Sequence, residues 1–211
     1  MQNVESNKIF ENAFEWRFEF PEVLNEKGDF VGFDVVIGNP PYVFARDNFD
    51  DQFKEYYYAN FKGIDYQVNL YVLFAELTLN ILQSKGYYSL IVPNSLLMVN
   101  STSKIRKLLF TNACVIEVVN FLGESFEGVS VETVAYFGLK GKVEDNIKVS
   151  VGEFGLIKFS NNKKTSTVLS SPDLILNVFS NDETDEFLYR IKSNTEILDN
   201  LVNIKAGLKA Y

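Results

Sequence analysis

The residues best suited to chemistry are Asn39, Pro40, Pro41 and Tyr42, directly after the run Phe33-Asp34-Val35-Val36-Ile37-Gly38. A carboxamide offers hydrogen bonds and a phenol ring offers a stacking face, while two prolines hold the backbone between them rigid. The chain has no histidine and a single cysteine, Cys114. That removes the usual zinc sites and the Cys/His nucleophile pairs, so no metal site is expected and any chemistry here proceeds without an imidazole base. Taken alone, Asn-Pro-Pro is equally a plain turn. The surrounding elements decide between the two.

Val35, Val36 and Ile37 form a β-branched apolar run suited to a strand buried on both faces of a parallel sheet. Gly38 and the prolines stop it, because proline cannot donate to a ladder. Ligands of open α/β sheets sit just beyond the carboxyl ends of the strands, where this turn falls. Leu70, Leu73, Phe74, Leu77 and Ile81 then recur at helical spacing, and Lys85-Gly86 reads as the helix stop. Tyr87 to Val92 reads as the next buried strand, closed by Pro93-Asn94-Ser95. This is a βαβ unit. Ser101 is placed to cap a helix through Lys104 to Phe110; Cys114 to Phe121 and Thr133 to Leu139 supply two more strands. Cys114 lies in an apolar run and reads as core.

The flanks are plainer. Phe14 to Phe20 alternates aromatic and polar residues, which predicts a short strand ended by Pro21. Residues 25–32 form a turn-rich connector. Residues 43–63, with Tyr56-Tyr57-Tyr58, read as a loop and helix flanking the motif, the tyrosines being half-buried packing. Residues 147–159 predict a strand pair and residues 160–171 a solvated loop. Ser171-Pro172 opens a helix with proline at its first position, and Asp185 to Lys192 continues helical behind an acidic first turn.

With 211 residues, 46% hydrophobic and 23% charged, the chain reads as a folded domain with a trailing piece. The apolar stretches are too interrupted to cross a bilayer, no signal pattern opens the chain, and one cysteine permits no internal disulfide. Cytoplasm and no membrane partner are the expectation. A net charge of −8 argues against a wide phosphate-gripping surface on these residues.

The Asn-Pro-Pro-Tyr turn after a buried strand resembles the catalytic motif of the amino-methyltransferases. The resemblance is strongest to the γ-class DNA N(6)-adenine methyltransferases of restriction-modification systems, and it runs over residues 14–211. Two other stretches join it: Trp16 to Val23 as lead-in, and Gly123-Glu124-Ser125-Phe126, similar to a late Gly-Glu-x-Phe loop. The fold implied is α/β, the second half of a Rossmann-like methyltransferase sheet with extra C-terminal strands and helices. Residues 1–145 form the catalytic half, and residues 146–211 extend toward a target-recognition domain that the passage from Leu198 to Leu208 resembles.

The resemblance further implies S-adenosylmethionine as methyl donor, double-stranded DNA as partner and adenine as the methylated base. Catalytic roles fall on Asn39, Pro40 and Tyr42, with Pro41 and Phe126 lining the base site. The sequence contains no Gly-x-Gly, so a glycine-rich cofactor half is expected upstream, and the chain is expected to be inactive alone. Two alternatives stand beside this: an amino-methyltransferase acting on RNA or protein glutamine, and a non-catalytic interaction remnant of the fold.

Overall fold

The computed structural model describes residues 16–43, 50–123, 131–141, 144–196 and 201–202. Among these, six strands make one mixed sheet in the order β1-β2-β4-β3-β5-β6. They are β1 (Phe33–Gly38), β2 (Leu82–Pro93), β3 (Ala113–Phe121), β4 (Thr133–Lys140), β5 (Asn146–Glu153) and β6 (Leu156–Lys164). β1 runs parallel to β2 and β3 parallel to β5, while β4 lies antiparallel to both β2 and β3, and β6 to β5. The helices are α1 (Trp16–Glu19), α2 (Asp51–Asn60), α3 (Leu70–Ile81), α4 (Ser103–Thr111), α5 (Thr165–Ser170) and α6 (Asp182–Ser193). The α/β class is present, as are the strands expected at residues 35–37, 87–92, 114–121 and 133–139 and the pair expected over 147–159, and no helix among the described residues is long and apolar enough to cross a membrane.

One core holds this together. Tyr71, Val72, Ala75 and Leu79 of α3 and Ile105, Leu109 and Phe110 of α4 pack on the same side of the sheet as Tyr88, Leu90, Val118, Val134, Tyr136 and Val149. The opposite side is open. Val35 is 53% exposed, Ile37 78% and Tyr87 57%. The expectation that β1 is buried on both faces is therefore corrected: among the described residues, helices cover a single face.

Other expectations shift for local reasons. Residues 16–19 form a helical turn rather than a strand, and Phe20 packs edge-on against Phe33 with centroids 5.4 Å apart. α3 has the expected span but a wider buried surface: Leu73 joins a second cluster with Ile64 and Val68, and Phe74 faces solvent. Lys85-Gly86 is no helix stop. It lies inside β2, where Lys85 takes φ +67° and a Cβ on Gly86 would meet the Phe33 carbonyl at 2.9 Å. The strand bulges there, because the register passes from Phe33–Leu82 to Val35–Tyr87. Ser101 does not cap α4, whose N-cap is Thr102 without a side-chain capping bond.

Residues 160–164 complete β6, and residues 165–170 form α5, in place of a loop. Polar residues suit β6 because it is a sheet edge. The helix expected at Pro172 is only a three-residue 3-10 turn, since Asp173 and Leu174 take φ of +55° and +57°. α6 begins at Asp182 with the expected acidic first turn, and the Asn181 side chain caps it by accepting the Thr184 N–H at 2.8 Å.

Tyr88 lies directly across Gly138 in the β2–β4 register, and a Cβ on Gly138 would come within 2.2 Å of its ring. Its neighbour Tyr136 packs against it edge-on at 5.8 Å. Both hydroxyls are buried and find no hydrogen-bond partner among the described residues. Burial pushes the Tyr136 phenol well up, with the Tyr88 and Tyr71 phenols adding to the shift. The folded chain therefore holds that proton more tightly than the unfolded one. Its contribution is complete below the unfolded pKa of about 10 and is lost as pH rises beyond it. Tyr136→Phe removes an unsatisfied polar atom and is expected to stabilise the fold by about 1 kcal/mol. Urea midpoints between about pH 9 and 11, about one unit either side of that unfolded pKa, should be higher than wild type and decline less at the alkaline end. A lower midpoint would contradict this account.

Candidate functional site

β1 delivers the motif. Its last residue, Gly38, pairs with Leu90, so the turn that follows lies beside the carboxyl end of β2. Pro40 is buried, Asn39 and Pro41 are exposed, and Tyr42 is half-buried. The Tyr42 hydroxyl lies 3.0 Å from Asn39 Oδ1 and 3.2 Å from the Ile91 carbonyl oxygen. Its ring meets Tyr71 of α3 edge-on at 6.4 Å. Burial pushes the Tyr42 phenol above its ordinary pKa, which keeps it a protonated donor. The chain is then tied down again where the Leu70 N–H donates to the Val43 carbonyl at 3.0 Å. The structure thus brings together four of the five expected site residues. The fifth, Phe126, lies outside the described residues, as does the passage from 198 to 208 apart from residues 201–202.

The ends of the loop that carries Phe126 are described. β3 ends and β4 begins at the pair Phe121–Thr133, on the same edge of the sheet as Pro93. Asn94, just past β2, donates its backbone N–H to the Glu132 carbonyl at 3.0 Å and its side-chain amide to the Glu132 carboxylate at 2.9 Å. That double contact ties the exit of β2 to the entrance of β4.

The rim beyond β2 is held by a residue that sequence reasoning missed. Arg106 of α4 is fully buried. Its Nη1 donates to the carbonyls of Leu96 and Val99 at 2.7 and 2.8 Å and to the Thr102 hydroxyl at 2.6 Å. Nε and Nη2 both reach the Asp173 carbonyl, at 3.1 and 2.8 Å. One guanidinium therefore clamps residues 96–102 to the segment after α5. Between Lys104 and Lys107 in a short helix, Arg106 carries no sequence signal that separates it from a solvated cation.

The flanking helix is present as α2. Tyr57 packs on Phe61 at 6.1 Å, which in turn covers the Ile64 and Leu73 cluster, and the Tyr58 hydroxyl donates to the Tyr66 carbonyl at 3.2 Å. Buried Glu76 of α3 accepts the backbone N–H groups of Lys62 and Gly63 at 2.9 and 2.7 Å. The tyrosines serve packing, and the carboxylate anchors the flap to the helix that also supports Tyr42.

β1 ends in a rigid Asn-Pro-Pro turn, and no described strand passes into a helix through a glycine-rich turn. A cleft of about 690 Å³ lies between α5 and α6, lined by Thr167, Pro172, Leu188 and Tyr189 and by no residue of the motif. Among the described residues no group of three His, Cys, Asp or Glu side chains converges as a metal site would.

Residues 2–126, more than half of the chain, match the family described as Eco57I restriction-modification methylase. The chain is 31% identical over 91 residues to the type II restriction enzyme and methyltransferase RM.Eco57I of Escherichia coli, covering 42% of this chain and 9% of that one. It is 27% identical over 119 residues to the RM.MjaORFECS2P protein of Methanocaldococcus jannaschii, covering 56% of this chain and again 9% of the relative. Among solved structures, the type IIG restriction endonuclease BpuSI aligns with TM-score 0.46 at 26% identity, over 56% of this chain and 15% of its own. The chain thus spans about a tenth of the length of these curated relatives.

Replacing Arg106 by Met keeps most of its volume but takes both donors from the Asp173 carbonyl, while the carbonyls of Leu96 and Val99 keep their bonds from Thr102. A loss of about 1–3 kcal/mol is expected, the cost of one orphaned buried group. The amide of Leu176, bonded to the Leu97 carbonyl at 3.0 Å, should exchange with solvent much faster. Unchanged urea midpoint and unchanged exchange would remove the clamp from this account.

Proposed function

The chain belongs to the Eco57I restriction-modification methylase family, and on that premise we propose that it is the catalytic half of a DNA adenine methyltransferase. The acceptor is the exocyclic amine of an adenine turned out of duplex DNA. The observation that carries this reading is the placement of Asn39-Pro40-Pro41-Tyr42 at the carboxyl end of β1, with Asn39 exposed beside a buried Pro40.

An adenine amine is a poor nucleophile because its lone pair is delocalised into the ring. What it needs is alignment and support for the positive charge that grows on nitrogen. Asn39 Oδ1 and the Pro40 carbonyl serve as acceptors for the two amine hydrogens, which draws the nitrogen toward tetrahedral geometry and exposes its lone pair. Each preorganised contact to developing charge contributes about 2–4 kcal/mol. Burial of Pro40 fixes the direction of its carbonyl at little entropic cost. No strong base is required, in keeping with a chain that lacks histidine.

Turning the base out of the stack costs a few kcal/mol. On this reading Tyr42 offers one aromatic face to it and Phe126 the other, each stacking contact returning about 1–3 kcal/mol. Pro41, exposed beside them, lines the rim.

S-adenosylmethionine would supply the methyl group from polypeptide outside these residues. Two features support that division. The described residues hold no glycine-rich turn, and Val35, Ile37 and Tyr87 form an uncovered apolar face. Parallel strands require cover on both sides. Residues 146–211 are proposed to lead toward a recognition domain, which would carry the phosphate-gripping charge that a chain of net −8 lacks.

The test is methyl transfer to adenine-containing duplex DNA by this chain combined with the polypeptide that carries its cofactor site. N6-methyladenine should appear, and Asn39→Ala should lower kcat by about 10²–10³. Normal turnover by Asn39→Ala would sink the assignment. So would methyl groups found on protein glutamine or RNA instead. Calorimetric titration of S-adenosylmethionine into the chain alone should show no saturable heat.

A further inference from the structure

We infer that the Tyr42 hydroxyl is a positioning group that orients the Asn39 carboxamide and so decides which of its ends meets the substrate amine. The role rests on the function proposed above and is separate from any stacking by the Tyr42 ring. Three observations carry it. The hydroxyl lies 3.0 Å from Asn39 Oδ1, it lies 3.2 Å from the Ile91 carbonyl oxygen, and the ring is fixed edge-on against buried Tyr71.

A carboxamide has two unlike ends, an acceptor oxygen and a donor NH2. An amine that must give up two hydrogens needs the oxygen end, and rotation of Asn39 by 180° about its last torsion would present donors to a donor. Nothing in the exposed carboxamide itself prevents that rotation. The Tyr42 hydroxyl does while it donates to Oδ1 at 3.0 Å, because a donor there holds the oxygen end in place. The carboxamide oxygen has two lone pairs. One is taken by Tyr42, and the other remains for the incoming amine.

The second acceptor completes the device. A phenol has one proton, so the hydroxyl can serve Asn39 or Ile91 at any moment, and neither position requires the ring to move. Ile91 belongs to β2, so the orientation of Asn39 is referred to the sheet rather than to the turn that bears it.

The experiment uses the 211-residue chain as it stands, with nitrogen-15 in its asparagine side chains. The Asn39 NH2 signal is assigned by its disappearance in Asn39→Ala. It should show a high heteronuclear NOE in the wild-type chain and fall to the value of a free carboxamide in Tyr42→Phe, which keeps the ring and its packing. The urea midpoint of Tyr42→Phe should stay near that of the wild type, which separates loss of orientation from loss of fold. Equal order of Asn39 in the two proteins overturns the inference, as does a free Asn39 amide in the wild type.

A second arm uses the assembled enzyme. Tyr42→Phe should lower kcat about tenfold, the equivalent of roughly 1.4 kcal/mol, with KM for DNA unchanged. A raised KM at unchanged kcat would assign the residue to base binding alone and overturn the positioning role. The magnetic-resonance arm needs no methyl transfer, so an assembly that never methylates adenine refutes the proposed function while the Asn39 amide still judges Tyr42.

Discussion

The parallel pairing of β1 with β2 is the constraint on which the candidate site depends. A parallel neighbour puts the carboxyl ends of both strands on the same edge, so the turn after Gly38 and the exit at Pro93 emerge side by side. Proline then forbids continuation of β1, and the chain must leave the sheet within two residues. Tyr42 converts that exit into a fixed structure by reaching back 49 residues along the chain to the Ile91 carbonyl. An antiparallel or slipped pairing would leave Asn39 with nothing on β2 to be measured against.

The supports around this edge share one logic: side chains satisfy main-chain groups that the irregular segments cannot satisfy themselves. Arg106 serves carbonyls of residues 96, 99 and 173; Glu76 serves the N–H groups of residues 62 and 63; Asn94 and Glu132 join two strand ends. Loops at the carboxyl edge of an α/β sheet are exposed to loss of order because their backbone groups lack ladder partners. Supplying partners from α3 and α4 ties them to the best-packed elements of the fold. The same helices cover only one side of the sheet, which leaves Val35 and Ile37 in solvent among the described residues.

Much of this was legible in the residues. Apolar, β-branched or aromatic runs marked β1 to β4, because strand positions in a packed sheet select residue shape. The motif was legible because proline leaves few backbone options. Burial direction was not. Val35-Val36-Ile37 carries the pattern of a doubly covered strand, and no property of three residues can say whether a second layer is present. β6 was hidden for the opposite reason, since an edge strand tolerates Ser160, Asn161, Asn162 and Lys163 that elsewhere mark a loop. Arg106 and Glu76 were illegible in principle: their meaning is set by carbonyls and N–H groups that the fold gathers from 7 to 67 positions away.

The contrast between Tyr42 and Tyr136 shows how one residue type serves opposite ends. Tyr136 buries a hydroxyl with no partner, so its polar atom is a cost borne for the volume of its ring. Tyr42 leaves its ring half-covered and places its hydroxyl between two acceptors. In both cases burial raises the phenol pKa, but only at Tyr42 does a persistently protonated hydroxyl have something to hold. A donor that stays protonated and cannot leave its two acceptors is a fixed reference. The carboxamide beside it gains a direction that neither its own torsions nor the prolines could give.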